Sequence, residues 1–179
     1  MAFYLKNIQL KLTNSAIKKY VLLFVLLLSA ESCKIFKHKT SEKRLEDTNT
    51  RMISIARTYT GVPYLTGGTS YGGVDCSGLL WSVFKELGFN IPRVAREQAE
   101  FFQTVNLENI QPGDLVFFVT TNKGTSSTIS HSGIITEIDA AKGVRFIHAS
   151  SSKGVREDNL SDTYWRSSFA KAIRPFFVK

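Results

Sequence analysis

Two hydrophobic periods divide this chain of 179 residues, and their order constrains the fold more than any single residue. From Ser41 to Leu87 the apolar residues recur at helical spacing: Leu45, Met52, Ile55, Ala56 and Tyr59 share one helix face, and Leu79, Leu80, Val83, Phe84 and Leu87 share another. From Leu115 onward they alternate or run in short blocks between turn residues. That pattern predicts strands at Leu115–Thr120, His131–Ile138, Val144–Ala149 and Ala172–Val178. Ala95–Phe102 reads as a shorter helix and Asp162–Phe169 as a short helix or turn. Helices first and a meandering antiparallel sheet second make an α+β arrangement, with helices packed on a small sheet.

The joint between the two halves carries the chemistry. Gly61 and Pro63 end the first helix, and a glycine-punctuated loop runs to Gly72-Gly73. It lacks the Gly-Lys-Ser/Thr ending of a phosphate-binding loop and follows no strand. Asp75 is a natural N-cap for the next helix, which stops at Gly88. Cys76 therefore lies on a first helical turn, where unpaired N–H groups favour thiolate over thiol.

A cysteine nucleophile needs a base, and the base needs a third group to orient its ring. His131 opens a strand after the polar loop Thr121–Ser130, and Gly133, Ile135 and Glu137 fall on its side of that strand. His148 lies on the strand expected to pair with it through the Lys142-Gly143 turn. Each histidine also has a bland reading, as a strand residue with a satisfied hydrogen bond. A zinc site built from Cys76, His131 and His148 has enough ligands, but no close ligand pair supports it, and no metal is assigned. Trp81, among apolar neighbours on the Cys76 helix, reads as core. Tyr71, Arg93 and Arg96 are left out of the catalytic set; Arg93 suits a substrate carboxylate or plain solvation.

The N-terminus reads as a targeting signal. Lys18-Lys19 precede an apolar run from Tyr20 to Ala30 that is shorter than the roughly 20 residues of a membrane span. It ends in Leu28-Ser29-Ala30-Glu31-Ser32-Cys33, which resembles a bacterial lipoprotein signal with Cys33 lipidated as the mature N-terminus; a cleaved secretory peptide is the next alternative. Residues 34–43, including His38, read as a polar tether. The two cysteines then have separate tasks, lipid and free thiol, in preference to a disulfide. The net charge is +8, but from Cys33 onward 19 basic and 14 acidic residues leave +5, scattered along the chain. No basic block interleaved with aromatics points to nucleic acid.

Five segments together resemble the consecutive motifs of the NlpC/P60 family of cell-wall cysteine peptidases. They are Pro63-Tyr64-x-x-Gly67-Gly68, Asp75-Cys76-Ser77-Gly78, Pro112-Gly113-Asp114-Leu115-Val116-Phe117-Phe118, Ser130-His131-Ser132-Gly133-Ile134 and Phe146-Ile147-His148-Ala149-Ser150. Order and spacing match from about Arg51 to Phe177. The lipid signal and the tail through Tyr164-Trp165 and Phe169 are similar to murein endopeptidase lipoproteins of the Spr type. The resemblance implies a papain-like fold, a Cys76–His131–His148 triad, and Tyr64 helping the Cys76 backbone N–H form an oxyanion hole. It also implies that Asp75 and Ser77 shape the substrate site. Ser132 departs from the family, which more often has an apolar residue there.

The expectation is a signal over 1–32, a lipidated tether over 33–43 and a catalytic domain over 44–179. The protein would be a monomer, lipid-anchored in the outer membrane and facing the periplasm. It would need no cofactor and would hydrolyse peptidoglycan cross-links or stem peptides, at D-alanyl–diaminopimelate or γ-D-glutamyl–diaminopimelate bonds. An N-acetylmuramoyl-L-alanine amidase on the same scaffold and a non-catalytic wall-binding lipoprotein are the alternatives.

Overall fold

Leu115–Phe118 is buried along its whole length, and the alternation of a strand explains how one four-residue run feeds two cores. Leu115 and Phe117 point to one face of the sheet, Val116 and Phe118 to the other. The computed structural model describes Lys19, residues 43–120 and residues 128–176; the expected signal, Cys33 and His38 lie outside them. The described residues from Leu45 onward belong to one compact unit.

In chain order, helix α1 covers residues 43–58. A ribbon of β1 (Thr69–Ser70) and β2 (Gly73–Val74) leads into α2 (Cys76–Glu86). Then come α3 (Ala95–Gln98), β3 (Gln103–Val105), a 3-10 turn (Leu107–Asn109) and β4 (Leu115–Phe118). β5 (His131–Asp139), β6 (Gly143–Ser150), β7 (Gly154–Asn159), α4 (Thr163–Ser168) and β8 (Phe169–Arg174) complete the unit. The large sheet has the order β3-β8-β4-β5-β6-β7 and is antiparallel throughout. The α+β expectation holds.

On one face α1 and α2 pack Met52, Ala56, Tyr59, Leu79, Leu80, Val83 and Phe84 against Leu115, Phe117, Ile134, Ile147 and Ile173. Leu79, Leu80, Val83 and Phe84 have no exposed surface. Each such side chain contributes about 1.5–3 kcal/mol, which anchors α2 on β5 and β6. On the opposite face Val116, Phe118, Ile135, Phe146, Leu160, Trp165 and Ala172 form a second, more aromatic core.

Several elements differ from the sequence expectation. The helix expected over 95–102 ends at Gln98, and the chain turns into β3, which pairs with β8. The final strand is Phe169–Arg174, earlier than expected, and Val178 lies outside the described residues. The glycine loop contains the β1–β2 ribbon, whose two-residue strands are too short to show a period. β7 was not expected at all. Its polar sequence, Gly-Val-Arg-Glu-Asp-Asn, suits the edge of a sheet, where charged side chains discourage further pairing.

The α2 start depends on close backbone approach. A β-carbon on Gly78 would overlap the Gly68 carbonyl oxygen and lie 2.9 Å from Asp75 Oδ1 and 3.0 Å from Arg93 Nη2. Gly78→Ala is expected to destabilise the protein by about 1–3 kcal/mol through overpacking. A lowered urea midpoint would show this; an unchanged midpoint would mean the glycine loop yields freely.

Candidate active site

Cys76 is the first residue of α2 and a free, buried thiol, 7% exposed. The helix tip is fixed by Asp75. Its Oδ1 accepts from Gly78 N at 2.6 Å as the N-cap, and its Oδ2 accepts from Gly67 N at 2.7 Å. Arg93 donates to both oxygens, at 2.9 and 2.8 Å, and also to Ser77 Oγ at 2.9 Å and Gly68 O at 3.2 Å. Arg93 is thus a brace between the glycine loop and the helix tip. Burial works to raise the Asp75 pKa, but the bonds from Arg93, Gly78 and Gly67 outweigh it and hold the carboxyl below its usual range.

The Cys76 thiol donates to the carbonyl of Ser130, with sulfur 3.8 Å from oxygen, so it rests against the residue preceding His131. Phe118 is paired with His131, yet its carbonyl also accepts from Ser130 N at 3.0 Å. Ser130, which accepts from the thiol, is therefore itself tied to the end of β4. Burial, followed by the negative charge of Asp75, pushes the thiol above its ordinary value of 9.0. The Ser77 N–H and both the hydroxyl and N–H of Ser132 act in the other direction, so all three favour the thiolate. The helix-end N–H of Ser77 thus acts as the sequence reading expects, while desolvation and Asp75 push the thiol the other way.

The two histidines meet as expected, and a residue the sequence reading missed extends them. His131 Nε2 lies 2.9 Å from His148 Nδ1, and His148 Nε2 lies 3.0 Å from Asp158 Oδ2. Asp158 comes from β7, where it pairs with Phe146, while His148 pairs with Arg156. Asp158 is therefore the diagonal neighbour of His148 on one sheet face. Trp165 Nε1 donates to the same Oδ2 at 3.2 Å, and Arg156 forms an ion pair with Oδ1 at 2.7 Å. Trp165 also stacks on the His131 ring at 5.4 Å between centroids. Gly133 leaves room for the pair, since a β-carbon there would come within 2.8 Å of the Phe146 ring and 3.3 Å of His148 Cβ.

His131 is lowered from 6.5 to about 3, by burial first and then by the proximity of His148, against a smaller opposing pull from Asp158. Burial also lowers His148, which is only 1% exposed, although its bond to Asp158 opposes the shift. Both rings are neutral at pH 7.

Tyr64 bridges to Val74, and Leu65 N donates to Val74 O at 3.0 Å, which ties the tyrosine beside the Cys76 segment. Burial, then the nearby Cys76 and Asp75, raise its pKa, so its hydroxyl keeps its proton. Ser77 is buried, accepts from Arg93 and donates to Asp75 Oδ1 at 3.2 Å, and Gln98 Nε2 donates to its carbonyl at 3.0 Å. Tyr71 is half exposed, stacked on Tyr59 and bonded to Thr58. Trp81 is partly buried against the core, with Lys85 over its ring. Arg96 is exposed.

A helix-tip thiol resting on the residue before a strand-borne histidine pair, on helices packed over an antiparallel sheet, is the arrangement of a cysteine hydrolase of the α+β class. The NlpC/P60 family pattern matches residues 61–174, and the chain belongs to that family. Over 127 residues it is 42% identical to the gamma-DL-glutamyl hydrolase of Bacillus subtilis, covering 70% of this chain and 29% of that protein. Over 129 residues it is 33% identical to the murein DD-endopeptidase MepS/murein LD-carboxypeptidase of Escherichia coli, covering 72% of this chain and 63% of that protein. The crystal structure of a Staphylococcus aureus NLP/P60 family protein, similar to a lipoprotein, matches with a TM-score of 0.62 at 33% identity, over 74% of this chain and 42% of that one. The chain spans less than two thirds of the length of each of these relatives.

The buried rings make stability depend on pH. An unfolded histidine takes its proton near 6.5, whereas folded His131 does so only near 3. Below 6.5 the unfolded state therefore binds more protons, and stability falls as pH drops from 6.5 toward 3. At one unit below 6.5, a histidine held neutral costs about 1.4 kcal/mol. The depressed carboxyls of Asp75 and Asp158 add to the loss only at lower pH, near and below the usual carboxylate range. Denaturant melts at pH 7.5 and 5.5 are expected to differ by at least this amount, and a flat profile would contradict the neutral-ring assignment.

Proposed function

We propose that the chain is a lipid-anchored cysteine endopeptidase that cuts peptidoglycan peptides. The observation that carries this reading is the meeting of the Cys76 thiol with the start of β5, where His131 stands backed by His148. In the proposed reaction Cys76 sulfur attacks an amide carbonyl as its proton passes to His131. The tetrahedral oxyanion is held by the Cys76 backbone N–H and the Tyr64 hydroxyl. His131 then gives the proton to the leaving amine, and water, deprotonated by the same ring, releases the acyl group.

The bond in the first reading is the D-alanyl–diaminopimelate cross-link, which the name of the Escherichia coli relative supports. The γ-D-glutamyl–diaminopimelate bond within a stem is the second reading, favoured by the higher identity to a gamma-DL-glutamyl hydrolase. Asp75 and Ser77 would shape the floor of the substrate site. Their polar atoms are already engaged by Arg93 and the loop, so their effect on substrate would run mainly through that frame. The lipid anchor at Cys33 and a periplasm-facing outer-membrane location rest on the signal-like segment ending at Cys33.

Digestion of purified sacculi by wild type beside Cys76→Ala tests the reading, with products identified by mass spectrometry. Cys76→Ala is expected to lose on the order of 10³-fold or more in rate, as removal of a nucleophile does. Loss of cross-linked dimers would assign the cross-link bond, and cleavage inside single stems the γ-D-glutamyl bond. A Cys76→Ala protein that still releases fragments would overturn the mechanism.

A further inference from the structure

Asp158 belongs to none of the family-like motifs, yet it ends a continuous line of ring nitrogens. Its Oδ2 lies 3.0 Å from His148 Nε2, and His148 Nδ1 lies 2.9 Å from His131 Nε2. Both contacts need one proton each, and the donors can be counted from the carboxylate inward.

Asp158 is anionic at neutral pH: burial works to raise it, but the His148 bond, Arg156 and Trp165 outweigh that and hold it low. An anionic carboxylate only accepts, so the proton between them sits on His148 Nε2. A neutral imidazole carries one N–H, so His148 Nδ1 is a bare acceptor. The proton on the 2.9 Å contact must then belong to His131 Nε2. That leaves His131 Nδ1 without a proton, and Nδ1 is the nitrogen not engaged by His148.

We infer that Asp158 is a positioning residue that fixes the tautomers of His148 and His131 in series, so that the base presents the lone pair of Nδ1 to the Cys76 thiol. The inference rests on the proposed cysteine mechanism only for its purpose; the proton order itself follows from the contacts. During attack the Cys76 proton moves to His131 Nδ1 as sulfur bonds to carbon. His131 becomes an imidazolium with N–H on both nitrogens, and His148 and Asp158 stabilise that charge without taking the proton.

Two further features hold Asp158 to this task. Trp165 donates to the same Oδ2 while its ring stacks on His131, so one side chain sets both ends of the relay. Arg156 occupies the other oxygen, Oδ1, which leaves Oδ2 to Trp165 and His148. Swapping the carboxylate for an apolar side chain removes the one acceptor among the described residues that specifies which His148 nitrogen carries hydrogen.

Nitrogen-15 NMR of histidine-labelled, substrate-free full chain at pH 7 tests this directly, because protonated and bare ring nitrogens resonate far apart. Wild type is expected to show both His131 and His148 as Nε2–H tautomers. Asp158→Ala is expected to shift His148 into a mixture containing Nδ1–H and to lower kcat on the order of 10²-fold, with KM within about twofold. A His131 ring protonated on Nδ1 in wild type would overturn the inference, as would an Asp158→Ala protein with unchanged tautomers and kcat. The spectra need no turnover, so the tautomer assignment can fail while the Cys76 mechanism stands, and the reverse.

Discussion

The carboxylate of Asp75 is the point on which the site depends. Five donors from three stretches of chain converge on it: the backbone of Gly67, the backbone of Gly78, the hydroxyl of Ser77, and both terminal nitrogens of Arg93. An N-cap alone holds one helix turn with about 1 kcal/mol. Here the cap also ties the glycine loop and the Arg93 segment to the helix tip, and it sets the Cys76 backbone where the sulfur reaches the start of β5. After burial, the same carboxylate is the next influence opposing ionisation of the thiol it positions.

Desolvation governs the electrostatics on the other side as well. His148 is sealed between Phe146 and Trp165, with ring centroids 5.1 and 4.7 Å away. In such surroundings burial works against a permanent imidazolium–thiolate pair. The arrangement instead stores donors and acceptors already oriented: Tyr64 protonated, Ser132 beside the sulfur, and Asp158 ionised behind His148. Charge arises when the thiol attacks, and the groups that meet it are already in place.

Much of this was legible in the sequence, and the misses share a cause. The α2 start, the Gly88 stop, the β5–β6 pairing and the approach of His131 to His148 all follow from strong local signals: a cap, a helical period and a short turn. Asp158 was invisible because β7 is polar and lies at the sheet edge, where no apolar alternation marks a strand. A hairpin drawn from His148 back through Arg156 would have placed Asp158 on the same face. The bracing bonds of Arg93 were not legible because its partners are 18 and 25 residues away in sequence, with no pattern linking them. The helix end that favours the Cys76 thiolate is visible in sequence, whereas the burial that opposes it is not.

The central claim is that the resting thiol and imidazole are both uncharged and become charged only together, in the reaction. The rate of Cys76 alkylation by iodoacetamide as a function of pH tests it most directly, with Cys76→Ala as the blank. A neutral pair predicts slow alkylation from about pH 5 to 7 and a single rise toward and above the ordinary thiol value of 9.0. Fast alkylation on a plateau from about pH 4 to 8, the mark of a stored imidazolium–thiolate pair, would contradict it.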